Sequence, residues 1–452
     1  MWDWALVGLR DELLLFSAVG FAIGGIDDLL VDAVWIVRRV WRRLTVYSIH
    51  PRATAAALPP SRTPGPIAVL VPAWQEADVI GPMLQGCLDR WGGADFRLFV
   101  GCYANDPPTI AAVRRFHDRR ISLVTGEVEG PTTKAGCLNV LYAAMEQDEM
   151  AQGRPYARVL LHDAEDVVHA DELRVHSALG DRFALIQVPV LPLRQQGSPW
   201  ISGHYLDEFA EAHSRDMVVR EAIGAALPSA GVGCSIQRAA LAEVAKARSG
   251  KPFADDSLTE DYELGLRLGE LGLPCAFVRI LGADGTLVAT RAHFPSTLTT
   301  AVRQKTRWTI GIALAGWDRV GWTGSLFERW MRLRDRRAPL AAILLVCGYA
   351  ALVLTVLVSL LGLPQAAPGQ LLTMLLLANA GLLLWRLIIR AVCVTRHYGW
   401  REGLRSMPRM VTSNIVAMMA ARRAIAGYLR MLRSGEVHWD KTAHSFPAGH
   451  AQ

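Results

Sequence analysis

Lysine is scarce in this 452-residue chain: only five of its 48 basic residues are Lys, so the formal charge of +6 rests on arginine. No Arg/Lys stripe interleaved with aromatics, no zinc-finger spacing and no helix-turn-helix punctuation is present, so no nucleic-acid partner is expected. The seven cysteines, Cys87, Cys102, Cys137, Cys234, Cys275, Cys347 and Cys393, are odd in number and never form C-x-x-C. That excludes a disulfide framework or thiolate metal site and fits reduced thiols facing a cytosol. There is no G-x-G-x-x-G and no G-x-x-x-x-G-K-[ST], so neither a dinucleotide fingerprint nor a Walker loop explains the chain. With 51% hydrophobic residues and a mean hydropathy of +0.21, it is far from the polar composition that keeps chains disordered.

Long uncharged runs are present instead. A bilayer core of about 30 Å needs about 20 mostly apolar helical residues. Leu340 to Leu363 carries no charge, and Leu371 to Trp385 continues through Ile388 and Ile389, with Arg386 and Arg390 near its end. These predict two spanning helices joined by the short Pro364–Gln370 connector; two buried core helices is the alternative. Leu13 to Ile26 is shorter, but Leu29 to Val37 extends it across Asp27, Asp28 and Asp32. Carboxylates are costly in lipid, so these three are expected at the inner interface or facing other helices, with the spanning helix bending there into an interfacial segment. The run lacks a basic start and a small-residue cleavage site, so a removed signal peptide is not expected.

Positive charge sets the orientation. Arg38, Arg39, Arg42 and Arg43 follow the first run, Arg329, Arg332, Arg334, Arg336 and Arg337 precede the second, and Arg396, Arg401, Arg405 and Arg409 follow the third. All these flanks, and the region between the first and second runs, are therefore expected to be cytoplasmic. Residues 404–432 hold an apolar stretch bordered by Arg422, Arg423, Arg430 and Arg433, which predicts an interfacial amphipathic helix, with a fourth spanning helix as the alternative.

Between Pro64 and Arg337, β-branched runs alternate with helical stretches: Ile67–Val71, Phe96–Gly101, Ile121–Val124, Val159–Leu161 and Leu185–Val188. That is the α/β signature of a mostly parallel sheet, which binds ligands at the carboxyl ends of its strands. Polar residues fall there: Pro72-Ala73-Trp74-Gln75-Glu76, Tyr103-Ala104-Asn105-Asp106-Pro107 and His162-Asp163-Ala164-Glu165-Asp166. Asp163 and Glu165 can converge on one hard cation that keeps sites for phosphate oxygens, or the stretch can be a solvated loop capping a helix near Asp171.

Ser257-Leu258-Thr259-Glu260-Asp261 precedes a helical run from Tyr262, so its carboxylates either decorate a helix start or take a proton from an attacking hydroxyl. In Gln304-Lys305-Thr306-Arg307-Trp308, positions 304, 307 and 308 share one helical face. They belong either to a helix lying on the membrane or to a site where Arg307 meets a diphosphate and Trp308 stacks a sugar.

In this order, Val71-Pro72-Ala73-Trp74, Asp106, Asp163-Ala164-Glu165, Thr259-Glu260-Asp261 and Gln304-Lys305-Thr306-Arg307-Trp308 resemble the motifs of membrane-embedded family-2 glycosyltransferases, the group of cellulose, hyaluronan and poly-N-acetylglucosamine synthases. Tyr103-Ala104-Asn105-Asp106-Pro107, His162 to Val167, Ala301 to Lys305, and Trp439-Asp440-Lys441-Thr442 with His444, Phe446 and Pro447 look more narrowly like the bacteriophage-adsorption protein B family of bacterial inner-membrane glycosyltransferases. The resemblance implies an α/β, Rossmann-like GT-A domain with transmembrane and interfacial helices, a UDP-sugar donor, Mg²⁺ or Mn²⁺, and an inverting single displacement. By position, Asp106 would contact uracil or ribose, Asp163 and Glu165 would hold metal and diphosphate, and Lys134 would serve the donor site. Asp261, beside Glu260, would be the general base. Gln304, Arg307 and Trp308 would close the donor and acceptor sites, and Gly231 and Gly233 would shape the acceptor loop, where Gly can also serve only a tight turn.

Two departures accompany the likeness. The metal motif reads Asp-Ala-Glu where most of the superfamily has Asp-x-Asp, and longer members continue into a nucleotide-sensing domain, so cyclic-dinucleotide regulation in cis is not expected here. The expected organisation is a transmembrane helix and basic linker over 1–62, the catalytic domain over 63–337, a transmembrane hairpin over 338–396, and an interfacial helix with a cytoplasmic tail over 397–452. The leading expectation is a polymerase in the bacterial inner membrane that passes a growing N-acetylhexosamine glycan outward, with an outer-membrane export partner. Single transfer to a lipid-linked acceptor and a silent envelope or phage-receptor scaffold are the alternatives.

Overall fold

The computed structural model describes residues 2–364, 367–434 and Phe446. Trp439, Asp440, Lys441, Thr442, His444 and Pro447 lie outside the described residues. In chain order the elements are α1 (Trp2–Thr45), β1 (Ile67–Pro72), α2 (Ala77–Arg90), β2 (Phe96–Tyr103), α3 (Pro107–Arg114), β3 (Ile121–Gly126), α4 (Lys134–Gln152), β4 (Arg158–Leu161), α5 (Glu172–Leu179) and β5 (Leu185–Gln187). They continue with α6 (Ile201–Glu211), α7 (Met217–Ala222), β6 (Cys234–Gln237), α8 (Arg238–Lys246), α9 (Glu260–Glu270), β7 (Cys275–Phe277), α10 (Leu298–Trp308), α11 (Gly316–Val320), α12 (Leu326–Arg336), α13 (Ala338–Leu360), α14 (Gln370–Tyr398) and α15 (Trp400–Ser434).

The seven strands form one sheet in the order β3-β2-β1-β4-β6-β5-β7, with β6 antiparallel to both its neighbours and all other pairings parallel. β1 is the apolar run IAVLVP because it is covered on both faces. Ala68 and Leu70 face one core with Phe99, Leu138 and Leu141, while Val69 and Val71 face the other with Leu84, Leu98 and Val100. The reversal of β6 places residues: Cys234 at its start pairs with Leu161 at the end of β4. The loop Gly231–Gly233 therefore sits at the same sheet edge as Asp163.

Among the described residues, three helices are long and apolar enough to cross a membrane: α1, α13 and α14. α1 is helical without a break from Trp2 to Thr45, through all three carboxylates. The reason is ion pairing. Asp27 and Asp28 both meet Arg334 and Arg337 of the α12–α13 junction, and Trp330 donates its indole N–H to Asp27 at 2.6 Å. Asp32 binds Arg215 at 2.8 Å and accepts from the Trp385 indole at 2.9 Å. The helix is thus continuous through its acidic turn because each carboxylate has a cationic or N–H partner. Asp28→Ala leaves Arg334 and Arg337 short of a partner, and about 1–3 kcal/mol of stability should be lost in thermal unfolding of the detergent-solubilised protein.

α15 is a single 35-residue helix packed against α6, α10, α13 and α14, burying Val416, Ala420, Ala421 and Ala424. Thr306 of α10 sends its hydroxyl toward Ala420 O at 3.4 Å. α15 therefore supports α10 from behind.

Candidate functional site

At the carboxyl edge of the sheet lies a cavity of about 740 Å³, lined among others by Lys134, Asp163, Glu165, Glu260, Asp261, Gln304, Arg307 and Trp308. Residues from four separate stretches of sequence meet there. Asp163 and Glu165 leave the end of β4, and the backbone N–H of Asp163 is held by Asp166 Oδ2 at 2.9 Å. Lys134, the first residue of α4, reaches Asp163 Oδ1 at 2.6 Å. Burial opposes its charge, but Asp163, Glu260 and Asp261 outweigh that and hold the ammonium protonated.

Glu260 and Asp261 are the first two residues of α9, so the helix starts two residues earlier than the sequence pattern places it. Asp261 Oδ1 accepts the Tyr262 N–H at 2.8 Å. A Cβ on Gly231, which has φ +73°, would collide with Asp261 Oδ2. The glycine loop and the base candidate are therefore in van der Waals contact. Gln187 clamps this loop: its Nε2 donates to Val232 O at 2.9 Å and its Oε1 accepts the Ala230 N–H at 2.8 Å.

Gln304, Arg307 and Trp308 line the cavity from α10, and Lys305 beside them pairs with Glu208, another lining residue. The buried Gln304 Oε1 has no hydrogen-bond partner among the described residues. After Trp308 the helix widens into a π-helical segment, Thr309–Ala315, in which Gly311 packs directly on Thr259, the cap of α9. A second π-helical segment, Ala212–Asp216, also reaches the cavity through Ala212 and His213, and such segments recur at functional sites.

Asp106, Gly231 and Gly233 stand outside the cavity lining, although Ala230 and Val232 belong to it. Asp106, three residues past the end of β2, holds the loop after β1 by accepting the Gln75 N–H at 2.5 Å, and it also caps α3. A Cβ on Gly233 would collide with Thr290 Oγ1. Short-motif reading missed Phe209, His213 and Phe294, which line the same cavity and form an aromatic cluster with Tyr205 and Trp308. They come from segments with no local signature. Only the helical spacing of Tyr205, Phe209 and His213 could have put them on one face.

Electrostatics single out the paired carboxylates. Burial, then repulsion from Asp261, lifts Glu260 to about 7 against Lys134 and Arg307. Burial lifts Asp261 as well, with Lys134 opposing. A carboxylate so raised is poised to accept a proton near neutral pH. Because the folded value exceeds the ordinary 4.5, the folded state binds more protons between about 4.5 and 7, and Glu260's favourable contribution is lost as pH rises through that window. Glu260→Gln should therefore raise the unfolding free energy at pH 8 by about 1–3 kcal/mol, and with it the melting midpoint, and leave both nearly unchanged at pH 5, as melting curves at the two pH values would show.

Comparison with known proteins agrees with this fold. The family model Glycosyl transferase family group 2 matches residues 158–401. The chain is 36% identical over 475 aligned residues to the bacteriophage adsorption protein B of Escherichia coli strain K12, and equally to the bacteriophage N4 adsorption protein B of Escherichia coli O157:H7. Each alignment covers 98% of this chain and 63% of the relative, so the chain spans less than two thirds of their length. The mannosyltransferase of Pyrobaculum calidifontis, solved with GDP-Man and Mn²⁺, shares the fold with a TM-score of 0.54 at 16% identity, covering 91% of this chain and 99% of its own. The expected GT-A architecture with membrane-spanning candidates is borne out.

Proposed function

From the premise that this chain belongs to Glycosyl transferase family group 2, we propose that it is a membrane-embedded inverting glycosyltransferase using a UDP-sugar, with its catalytic domain on the cytoplasmic side of a bacterial inner membrane. The observation that carries the reading is the cavity itself, where Asp163 and Glu165, Lys134, the Glu260–Asp261 pair and Arg307 face one space at the sheet's carboxyl edge.

Two carboxylates suit a hard cation whose remaining positions go to diphosphate oxygens and water, and among the described residues no third His, Cys, Asp or Glu converges on them. Mg²⁺ or Mn²⁺ held there would supply charge to a departing diphosphate. Asp261 Oδ2 takes the proton of the acceptor hydroxyl, whose oxygen attacks the anomeric carbon as the bond to UDP breaks, inverting that centre. Charge growing on the leaving oxygens is met by Arg307 and Lys134, both already placed on the cavity wall. Trp308, backed by Tyr205 and Phe209, offers an aromatic face for the acceptor sugar, and the unpartnered Gln304 Oε1 offers an acceptor for a hydroxyl. Asp106 and the loop it fixes border the nucleoside end.

The donor sugar is taken as an N-acetylhexosamine and the product as a growing glycan, exported with the help of an outer-membrane partner. One observation favours single transfer to a lipid-linked acceptor instead: three helices are few to line a translocation path. The test is nucleotide release by the purified protein with Mg²⁺ or Mn²⁺ across UDP- and GDP-sugars, with products sized. Release from a UDP-sugar with a long product supports the polymerase, and a short lipid-linked product supports single transfer. Release from GDP-sugars alone, or none with any donor and no metal-dependent UDP binding, rejects the reading.

A further inference from the structure

Behind the Asp163–Glu165 turn runs a chain of buried polar side chains that starts at Asp166, itself part of the cavity lining. His162 is fully buried between two carboxylates: its Nδ1 lies 2.8 Å from Asp166 Oδ2 and its Nε2 lies 3.1 Å from Glu172 Oε1. The same Asp166 oxygen accepts the backbone N–H of Asp163. Glu172 also accepts the His169 N–H at 3.3 Å and the Thr290 hydroxyl at 3.4 Å. That hydroxyl occupies the space over Gly233. His176, one turn along α5, approaches Glu172 and bonds Ser235 of β6 at 2.8 Å. Glu172 is thus the node joining the turn after β4, the strand β6 and the Thr290 segment.

Burying two carboxylates and an imidazole is costly, and an apolar core of equal volume would be at least as stable, so the network's stability alone does not account for it. Ligand carboxylates, in contrast, need supports that fix them to within about 0.5 Å. We propose that Glu172, acting through His162 and Asp166, is a positioning residue that sets the backbone of the Asp163–Glu165 turn for the cation and diphosphate and couples it to the Gly231–Gly233 loop. The proposal rests on the reading of Asp163 and Glu165 as the metal-binding pair.

The test uses the full chain in detergent and reads the Mn²⁺ concentration that half-saturates UDP binding, alongside the unfolding midpoint. Glu172→Gln and Asp166→Asn should each raise that concentration about 10-fold or more. Glu149→Gln, at the Arg238 ion pair on the far side of α4, should lower the midpoint and leave the Mn²⁺ requirement unchanged. A Glu172→Gln protein that melts earlier but needs no more Mn²⁺ than the wild type would overturn the proposal. Should that variant fail to fold, Asp166→Asn decides by the same criterion. Failure of the parent reading looks different, since wild-type UDP binding would then be indifferent to Mn²⁺ and the positioning role would fall with it.

Discussion

Asp261→Asn is expected to lower turnover by roughly 10²–10⁴-fold while UDP affinity stays within a few-fold of wild type. The substitution changes little but basicity. Its carbonyl oxygen can still accept the Tyr262 N–H, so the start of α9 should persist. What disappears is the carboxylate oxygen facing the Gly231 loop, the atom assigned to receive the acceptor's proton. Burial raises the proton affinity of Asp261, and Lys134 opposes that rise. The loss should appear in kcat, because the proton moves only as the new bond forms. Nucleotide-release rates paired with calorimetric UDP titrations separate the two quantities. Unchanged kcat would remove Asp261 from the mechanism, and a matching loss of UDP affinity would recast it as a donor-binding group.

The parts of this fold legible in the sequence are those whose cause is local. β1 and β2 are buried on both faces and carry long apolar runs, so their periodicity survives in sequence. β6 and β7, four and three residues long, do not: CSIQ and CAF become strands only because β4 and β5 offer them open edges. The acidic turn of α1 reads locally as a break because its neutralising arginines, Arg334 and Arg337, lie some 300 positions away. The site divides in the same way. Carboxylates at strand ends and a polar helical face are short-range patterns, and the structure gathers Asp163, Glu165, Glu260, Asp261, Gln304, Arg307 and Trp308 into one cavity. Glu172 carries no such mark, and His162, although it belongs to the strand-end stretch, shows nothing locally of its two buried carboxylate partners. An aspartate and a glutamate near a histidine are unremarkable until burial shows that water has been excluded from all of them.

Gly231→Ala should be nearly as damaging to turnover, by roughly 100-fold, although it removes no functional group. Two consequences of adding one methyl must be separated. Gly231 has φ +73°, where an L-residue costs about 1–2 kcal/mol, and that term alone would lower stability. The second is steric: the new Cβ would overlap Asp261 Oδ2, and Gln187 grips the loop through Val232 and Ala230, so the carboxylate is the more movable partner. A base displaced by about 1 Å no longer lies on the line to the acceptor proton. Gly285 supplies the control, with φ +76° and no atom within 4 Å of an added Cβ. Gly285→Ala should show the loss in melting temperature with kcat intact, whereas Gly231→Ala should show both losses. Equal kcat in the two variants would mean that the contact between the glycine loop and Asp261 has no part in aligning the base, and the loop would then have to act through the acceptor alone.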